Sequence, residues 1–327
     1  MTRVLVTGAG GAAGVAVIRS LVAHGVEVFA SDMDGWAAGL YLVPAEQRRL
    51  VLPGRDPGFV DGVLDLVRQD RIDVVFSTVD VELEPLASRR DELSPAVLAA
   101  PTLDTLTTCL DKLALAVACA STARVPVTMT LDATGKAADW TFPVIIKPRR
   151  GAGSRGVHLV ADRAELEAMP DDAGIIIQAN LPGEEYSVDV IAAGGVLVAA
   201  VPRTRARVDS GVSIAGRTVR DPELERQARL VAAAIGLDGV ANVQLRRDVE
   251  GHPALLEVNP RFPGALPLTI AAGVDLPVLA LDLALGVALP SEVEFREIAS
   301  VRFLEDIILD PAEVLVSEHA AHGPGDE

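Results

Sequence analysis

Apolar and polar side chains alternate along residues 240–246 and 254–259, and the polar segment between them holds Gly251 and Pro253. A period of two bounded by turn residues predicts a β-hairpin. A turn centred near Glu250 and Gly251 sets Gln244 opposite Glu257 and Asn242 opposite Asn259. These four then share one face, while Val243, Leu245, Leu256 and Val258 share the other. Upstream, residues 1–104 alternate apolar strands at 3–7, 26–30 and 73–77 with helices at 12–23 and 59–68, the signature of βαβ units and a doubly wound parallel sheet. Residues 106–120 place Leu106, Cys109, Leu110, Leu113 and Val117 on one stripe, which predicts a single helix with Lys112 on its flank. Further strands are expected at 142–147, 174–179 and 185–190. A helix is expected at 222–235, entered at Pro222 and stopped by Gly236, then a core helix at 276–285 and a closing strand at 301–309. From Glu318 the pattern lapses, and a mobile tail is expected there, with no metal role for His319 and His322.

Composition narrows the class. The 327 residues are 50% hydrophobic, enough for two or three domains with a shared core. A net charge of -17 argues against nucleic acid or an anionic membrane as partner. Cys109 and Cys119 suggest neither a disulfide framework nor a zinc site, and the chain leads straight into a glycine loop, so a cytoplasmic protein is expected.

The candidate chemistry lies at strand ends. On the hairpin, one carboxylate and two amides (Glu257, Asn259 and Gln244) offer the hard oxygen ligands that magnesium takes, with the remaining positions left to water and phosphate. Arg261 follows at once, a cation where phosphoryl chemistry needs charge neutralised. The strand ending in Lys147 enters Gly151-Ala152-Gly153-Ser154-Arg155-Gly156, whose glycines expose backbone N–H groups to a phosphate. Residues 178–181 (Gln178, Ala179, Asn180, Leu181) kink between two strands, so their backbone is open to a purine edge, and Glu185 follows where ribose hydroxyls would donate. Arg203, Arg205 and Arg207 alternate along one expected strand face, and an anion there would relieve their repulsion. Asp80, Glu82 and Glu84 suit a helix start, with a substrate contact as the alternative. The opening Gly8, Gly11 and Gly14, with Asp32 after the second strand, allow an NAD(P) reading but fit the dinucleotide fingerprint imperfectly; tight strand-to-helix packing is the alternative.

The order of these segments resembles the ATP-grasp superfamily, in the branch similar to carbamoyl-phosphate synthetase large chains. It rests on Asp111-Lys112, IKPRRGAGSRGV from 146 to 157, GEEYSVDV from 183 to 190, ANVQ from 241 to 244 and LLEVNPRFPG from 255 to 264. The resemblance implies an α/β and α+β chain: a Rossmann-like preceding domain over 1–104, a small lobe over 105–177, a larger lobe over 178–317 and a tail over 318–327. It implies ATP between the lobes, with Lys112 and Lys147 on its phosphates and the loop at 151–156 as a flap. The hinge would meet adenine and Glu185 ribose. Gln244, Glu257 and Asn259 would hold Mg2+, two ions, with Mn2+ as an alternative. The expected activity is a carboxylate–amine or ammonia ligase working through an acyl phosphate, with Arg261 and Arg203 or Arg205 on that group. Its partners would be small-molecule carboxylates and amines, with a homodimer as one arrangement. The alternatives are carbamoyl-phosphate-synthetase-like phosphorylation of bicarbonate or carbamate, and an NAD(P)-dependent reductase.

Overall fold

A computed structural model describes residues 1–151, 155–209 and 212–316. The first apolar strands are β1 (Arg3–Thr7), β2 (Glu27–Asp32), β3 (Arg48–Leu50), β4 (Val74–Ser77) and β5 (Val97–Leu98). All pair in parallel, in the order β3-β2-β1-β4-β5. Parallel neighbours need crossovers, supplied by α1 (Ala12–Ala23), α2 (Phe59–Asp70) and α3 (Asp80–Ser88). Alternate residues feed two cores. Leu5, Phe29 and Val75 pack with α2 on one face. Val4, Val6 and Phe76 pack on the other, in a core that also takes Ile191, Val201, Val240, Phe262 and Leu266 from the second half of the chain. Strand order reverses between β1 and β4, and in such sheets ligands bind beyond the strand C-termini at that point.

The stripe at 106–120 is broken in two. α4 (Leu103–Leu110) and α5 (Lys112–Cys119) meet at Asp111, whose carboxylate caps α5 by accepting from Leu113 and Ala114 N–H at 3.0 and 3.2 Å. Periodicity survives a one-residue break, so the pattern alone could not reveal it. Next come β6 (Thr128–Leu131), α6 (Ala133–Ala137), β7 (Val144–Pro148), β8 (His158–Val160), α7 (Arg163–Ala168) and β9 (Asp172–Ala179). The four strands form a mixed-order antiparallel sheet, β6-β9-β7-β8, over a small core of Trp140, Val144, Val160 and Ile177.

The rest of the chain supplies β10 (Glu185–Ala193), β11 (Val196–Thr204), β12 (Arg207–Asp209), β13 (Val212–Arg217), α8 (Pro222–Ala234), β14 (Gly239–Arg247), β15 (Pro253–Asn259), α9 (Leu266–Ala271), α10 (Leu276–Ala284) and β16 (Ala299–Val301). Among the described residues these strands form two sheets, β11-β10-β14-β15 and β12-β13-β16. The expected closing strand at 301–309 contracts to β16, and residues 302–310 have no regular structure. The three arginines do not share one strand: Arg203 is the last but one residue of β11, Arg205 lies between elements and Arg207 begins β12. Among the described residues no helix is long and apolar enough to cross a membrane.

Candidate active site

The hairpin register is the one the alternation predicts where the polar face lies: Gln244 pairs with Glu257 and Asn242 with Asn259. A bulge then shifts the ladder, so that Leu245 faces Leu255 rather than Leu256. Leu255 is buried in the core and Leu256 only half-buried, a correction to the apolar face expected for Leu256. Bulges cluster where a strand must re-aim a side chain, and this one adjoins Glu257.

The polar face also runs wider than the hairpin. Ser187 of β10 pairs with Gln244 and with Arg203, making one row across four strands, and Asp189 pairs with Asn242 in the next. The alternation Glu185, Ser187, Asp189 was the available signal for these missed residues. Asp189, fully buried, accepts from Arg203 Nε and Nη2 at 2.9 and 3.0 Å, from Asn242 Nδ2 at 2.6 Å and from Thr269. The anion that relieves Arg203 is therefore a carboxylate of the protein. Replacing Arg203 with alanine leaves Asp189 buried without its ion pair, and equilibrium denaturation should register a loss of about 3–5 kcal/mol. A variant as stable as the parent would show the pair to be dispensable.

Lys112, Lys147 and Arg205 gather about Glu257 and Glu185 beside this sheet. Lys112 Nζ lies 3.6 Å from Glu257 and donates to Gly151 O at 2.6 Å, tying the start of the glycine loop to the hairpin. Asp111 explains how Lys112 is aimed. It grips Arg149 through Nε at 3.2 Å and Nη2 at 2.6 Å, while Lys112 N–H donates to Arg149 O. Burial opposes the charge on Asp111, yet Arg149 and the capping N–H groups outweigh it and hold the carboxyl below its ordinary range. Lys147, 7% exposed, is driven down to about 8, chiefly by burial, with Lys112 adding repulsion and Glu257 and Glu185 opposing it. Arg205 ion-pairs with Glu185 at 2.7 Å, so the carboxylate expected at ribose already has a cation beside it. Arg261 bonds both oxygens of Asp80, at 2.7 and 2.9 Å.

The donor set suits a hard divalent cation. With its amide turned to satisfy its neighbours, Gln244 donates to Glu257 Oε1 at 3.1 Å and accepts from Arg205 and Asn259 at 3.3 and 3.2 Å. The three side chains converge within hydrogen-bond reach, and rotating an amide presents its oxygen instead of its nitrogen. One carboxylate with amide oxygens, flanked by cations that attract phosphate, matches the way magnesium is held. Among the described residues no group of three or more His, Cys, Asp and Glu could hold a metal, so any such site depends on the amides.

A cavity of about 1190 Å³ opens over Lys112, Gln244, Glu257, Asn259 and Arg261, and its far wall includes Asp80 of the parallel-sheet domain. Arg155, Arg203 and Arg205 also line it. Lys147, Glu185, Gly156 and residues 178–181 are not part of its lining. Gln178 is buried in β9 and donates to Thr128 Oγ1 at 2.9 Å, and Ala179 N–H is given to Val127 O. Asn180 and Leu181 carry the chain from β9 to β10, from one four-stranded sheet to the other. Gly153 and Ser154 lie outside the described residues, as do His319 and His322. At the opening loop, Asp32 accepts from Gly10 and Asp34 N–H at 2.8 and 3.0 Å. A Cβ on Gly14 would sit 2.3 Å from Gly8 O, so tight packing accounts for this glycine and Asp32 serves its own loop.

Two family models match along this part of the chain. Residues 107–181 match "Carbamoyl-phosphate synthase L chain, ATP binding domain", and residues 171–307 match "ATP-grasp in the biosynthetic pathway with Ter operon". The chain carries an ATP-grasp module. It is 29% identical over 177 residues to the arginine-specific carbamoyl phosphate synthase large chain of Geobacillus stearothermophilus, covering 50% of this chain and 17% of that one. It is 32% identical over 189 residues to carnosine synthase 1 of Gallus gallus, 48% of this chain and 20% of that one. The chain thus spans a fifth or less of these relatives. In fold it is similar to N5-carboxyaminoimidazole ribonucleotide synthetase from Thermotoga maritima, with a TM-score of 0.69 at 18% identity over 90% of this chain and 78% of that one. The matched stretches take in Lys112, Lys147, Glu185, Arg205, the hairpin and Arg261, whereas Asp80 lies outside them.

Proposed function

We propose that the protein is an ATP-dependent carboxylate–amine ligase. The observation that carries this reading is the convergence of Lys112, Lys147 and Glu257 from three separate segments beside the Gln244 and Asn259 amides. In this reading residues 1–104 form a Rossmann-like domain, 105–177 the small lobe and 178–317 the larger lobe, with ATP between the lobes. Lys112, Lys147 and the backbone of Gly151, Gly153, Ser154, Arg155 and Gly156 take the phosphates; Gln178, Ala179, Asn180 and Leu181 face adenine, and Glu185 the ribose. Gln244, Glu257 and Asn259 would hold magnesium, as two ions or with manganese in its place, and the metal would neutralise charge on the phosphate oxygens.

A substrate carboxylate oxygen attacks the γ-phosphorus as the bond to the ADP oxygen breaks, giving an acyl phosphate. Amine nitrogen then attacks the acyl carbon, phosphate departs and the nitrogen loses a proton. Arg261, assisted by Arg205, holds the acyl-phosphate oxygens. Arg203, committed to Asp189, supports the row from behind. Positioning and fixed charge supply most of the rate in such transfers. The kinship to carbamoyl phosphate synthase supports a second reading, phosphorylation of bicarbonate or carbamate.

Release of ADP from Mg-ATP by the purified protein, measured against carboxylic and amino acids with and without amines, separates the two. Release requiring both a carboxylate and an amine is the expected result. Release with bicarbonate or carbamate alone favours the second reading, and a protein that binds no Mg-ATP overturns both.

A further inference from the structure

Arg261 does not stand alone beside the hairpin. The chain leaves β15 through Pro260, and Phe262 turns into the shared core, its ring 5.4 Å from that of Phe76 on β4. With Phe262 seated there, Arg261 meets Asp80, the first residue of α3, four positions beyond Phe76. Asp80 takes the Nε and Nη2 edge of the guanidinium, and Phe262 O accepts from Nη1 at 3.2 Å. A guanidinium has five N–H donors, so this leaves one on each terminal nitrogen, a fork that matches two oxygens of a phosphoryl or carboxylate group. Both side chains are about one-fifth exposed, and both line the cavity. One turn further along α3, Glu84 takes Arg150 at 2.8 Å, so the same helix face meets two arginines of the ATP-grasp module.

We infer that Asp80, contributed by the parallel-sheet domain, is a positioning residue that locks the Arg261 guanidinium with its free edge toward the transferring phosphoryl group. The inference rests on the ligase reading for the role of Arg261 and adds a group from outside the module to its machinery. Without Asp80, Arg261 keeps its charge but gains rotamer freedom, so the loss falls on the transferring group and not on the nucleotide diphosphate.

The test measures binding of Mg-ADP alone and of Mg-ADP with fluoroaluminate, a mimic of the transferring phosphoryl group, by calorimetry. Asp80→Asn should weaken the fluoroaluminate complex about tenfold, the scale of one charge-assisted hydrogen bond, and leave Mg-ADP within about twofold. Asp80→Glu should recover part of that loss, and Asp80→Asn should cost nothing further in an Arg261→Ala background. Should Asp80→Asn fail to fold, Asp80→Glu carries the comparison through an intermediate loss confined to the fluoroaluminate complex. Equal weakening of both complexes, an unchanged fluoroaluminate complex, or additive losses with Arg261→Ala would overturn the inference while the ligase reading stands. A parent protein that binds no Mg-ADP overturns both.

Discussion

Replacing Glu257 with alanine is expected to lower ADP release by at least about a thousandfold while the protein remains folded, because it deletes the only carboxylate of the proposed magnesium set. The side chain is about one-fifth exposed, and its contacts are the Lys112 ion pair at 3.6 Å and two amides, so little packing is lost with it. The electrostatic consequence is larger. Lys112, Lys147 and Arg205 would then face one another with Glu185 as the remaining nearby acid, and Lys147 would hold its proton less firmly. The magnesium-dependent part of ATP affinity should vanish, and the metal-independent attraction of the lysines for phosphate should persist. Glu257→Gln separates the two effects, since an amide oxygen can still ligate but carries no charge. Activity in Glu257→Ala within about tenfold of the parent would remove the metal assignment.

The residues in that prediction were legible for a local reason. A hairpin turn ties two strands closely spaced in sequence, so alternation around Gly251 places Gln244 against Glu257 without knowledge of the rest of the fold. The first parallel strands and α1 were legible likewise, since period and glycine punctuation agree there. Legibility ends where a contact depends on distant chain. Arg261 and Asp80 are 181 residues apart, and the shared core, with Phe262 against Phe76, brings them together. The break at Asp111 was hidden because residues on either side still satisfy one helical stripe, and what decides it is a cap and the Arg149 pair. The arginine series looked like one basic face because carboxylates from β10 are invisible in its own strand. Asp189 meets Arg203 through the pairing of β10 with β11, and Glu185 meets Arg205 just beyond the end of β11.

Lys147 gives the second large effect, which is read in protons. In the nucleotide-free protein its ammonium is held down to about 8, whereas in the unfolded chain it titrates at its ordinary 10.5. Between those values the unfolded chain keeps a proton that the folded chain has released, so this group makes stability rise with pH across that window, and the penalty is fully present below it. The penalty is on the order of 3 kcal/mol, a sum the protein recovers only when an anion arrives. Phosphate beside Lys147 favours the charged form and pushes its titration back up. Binding Mg-ATP near pH 8.5 should therefore draw a proton from solvent, seen as a dependence of calorimetric enthalpy on the ionisation enthalpy of the buffer, and affinity should fall as pH climbs past about 8. Lys147→Met should lose the proton uptake and at least about tenfold in affinity together, while gaining stability below pH 8, where the buried charge is most costly. Lys147→Arg should abolish the pH dependence by keeping its charge throughout. Equal proton uptake in the parent and in Lys147→Met would place the nucleotide phosphates elsewhere, and with them the boundary between the two lobes that Lys147 and Glu257 are read as closing.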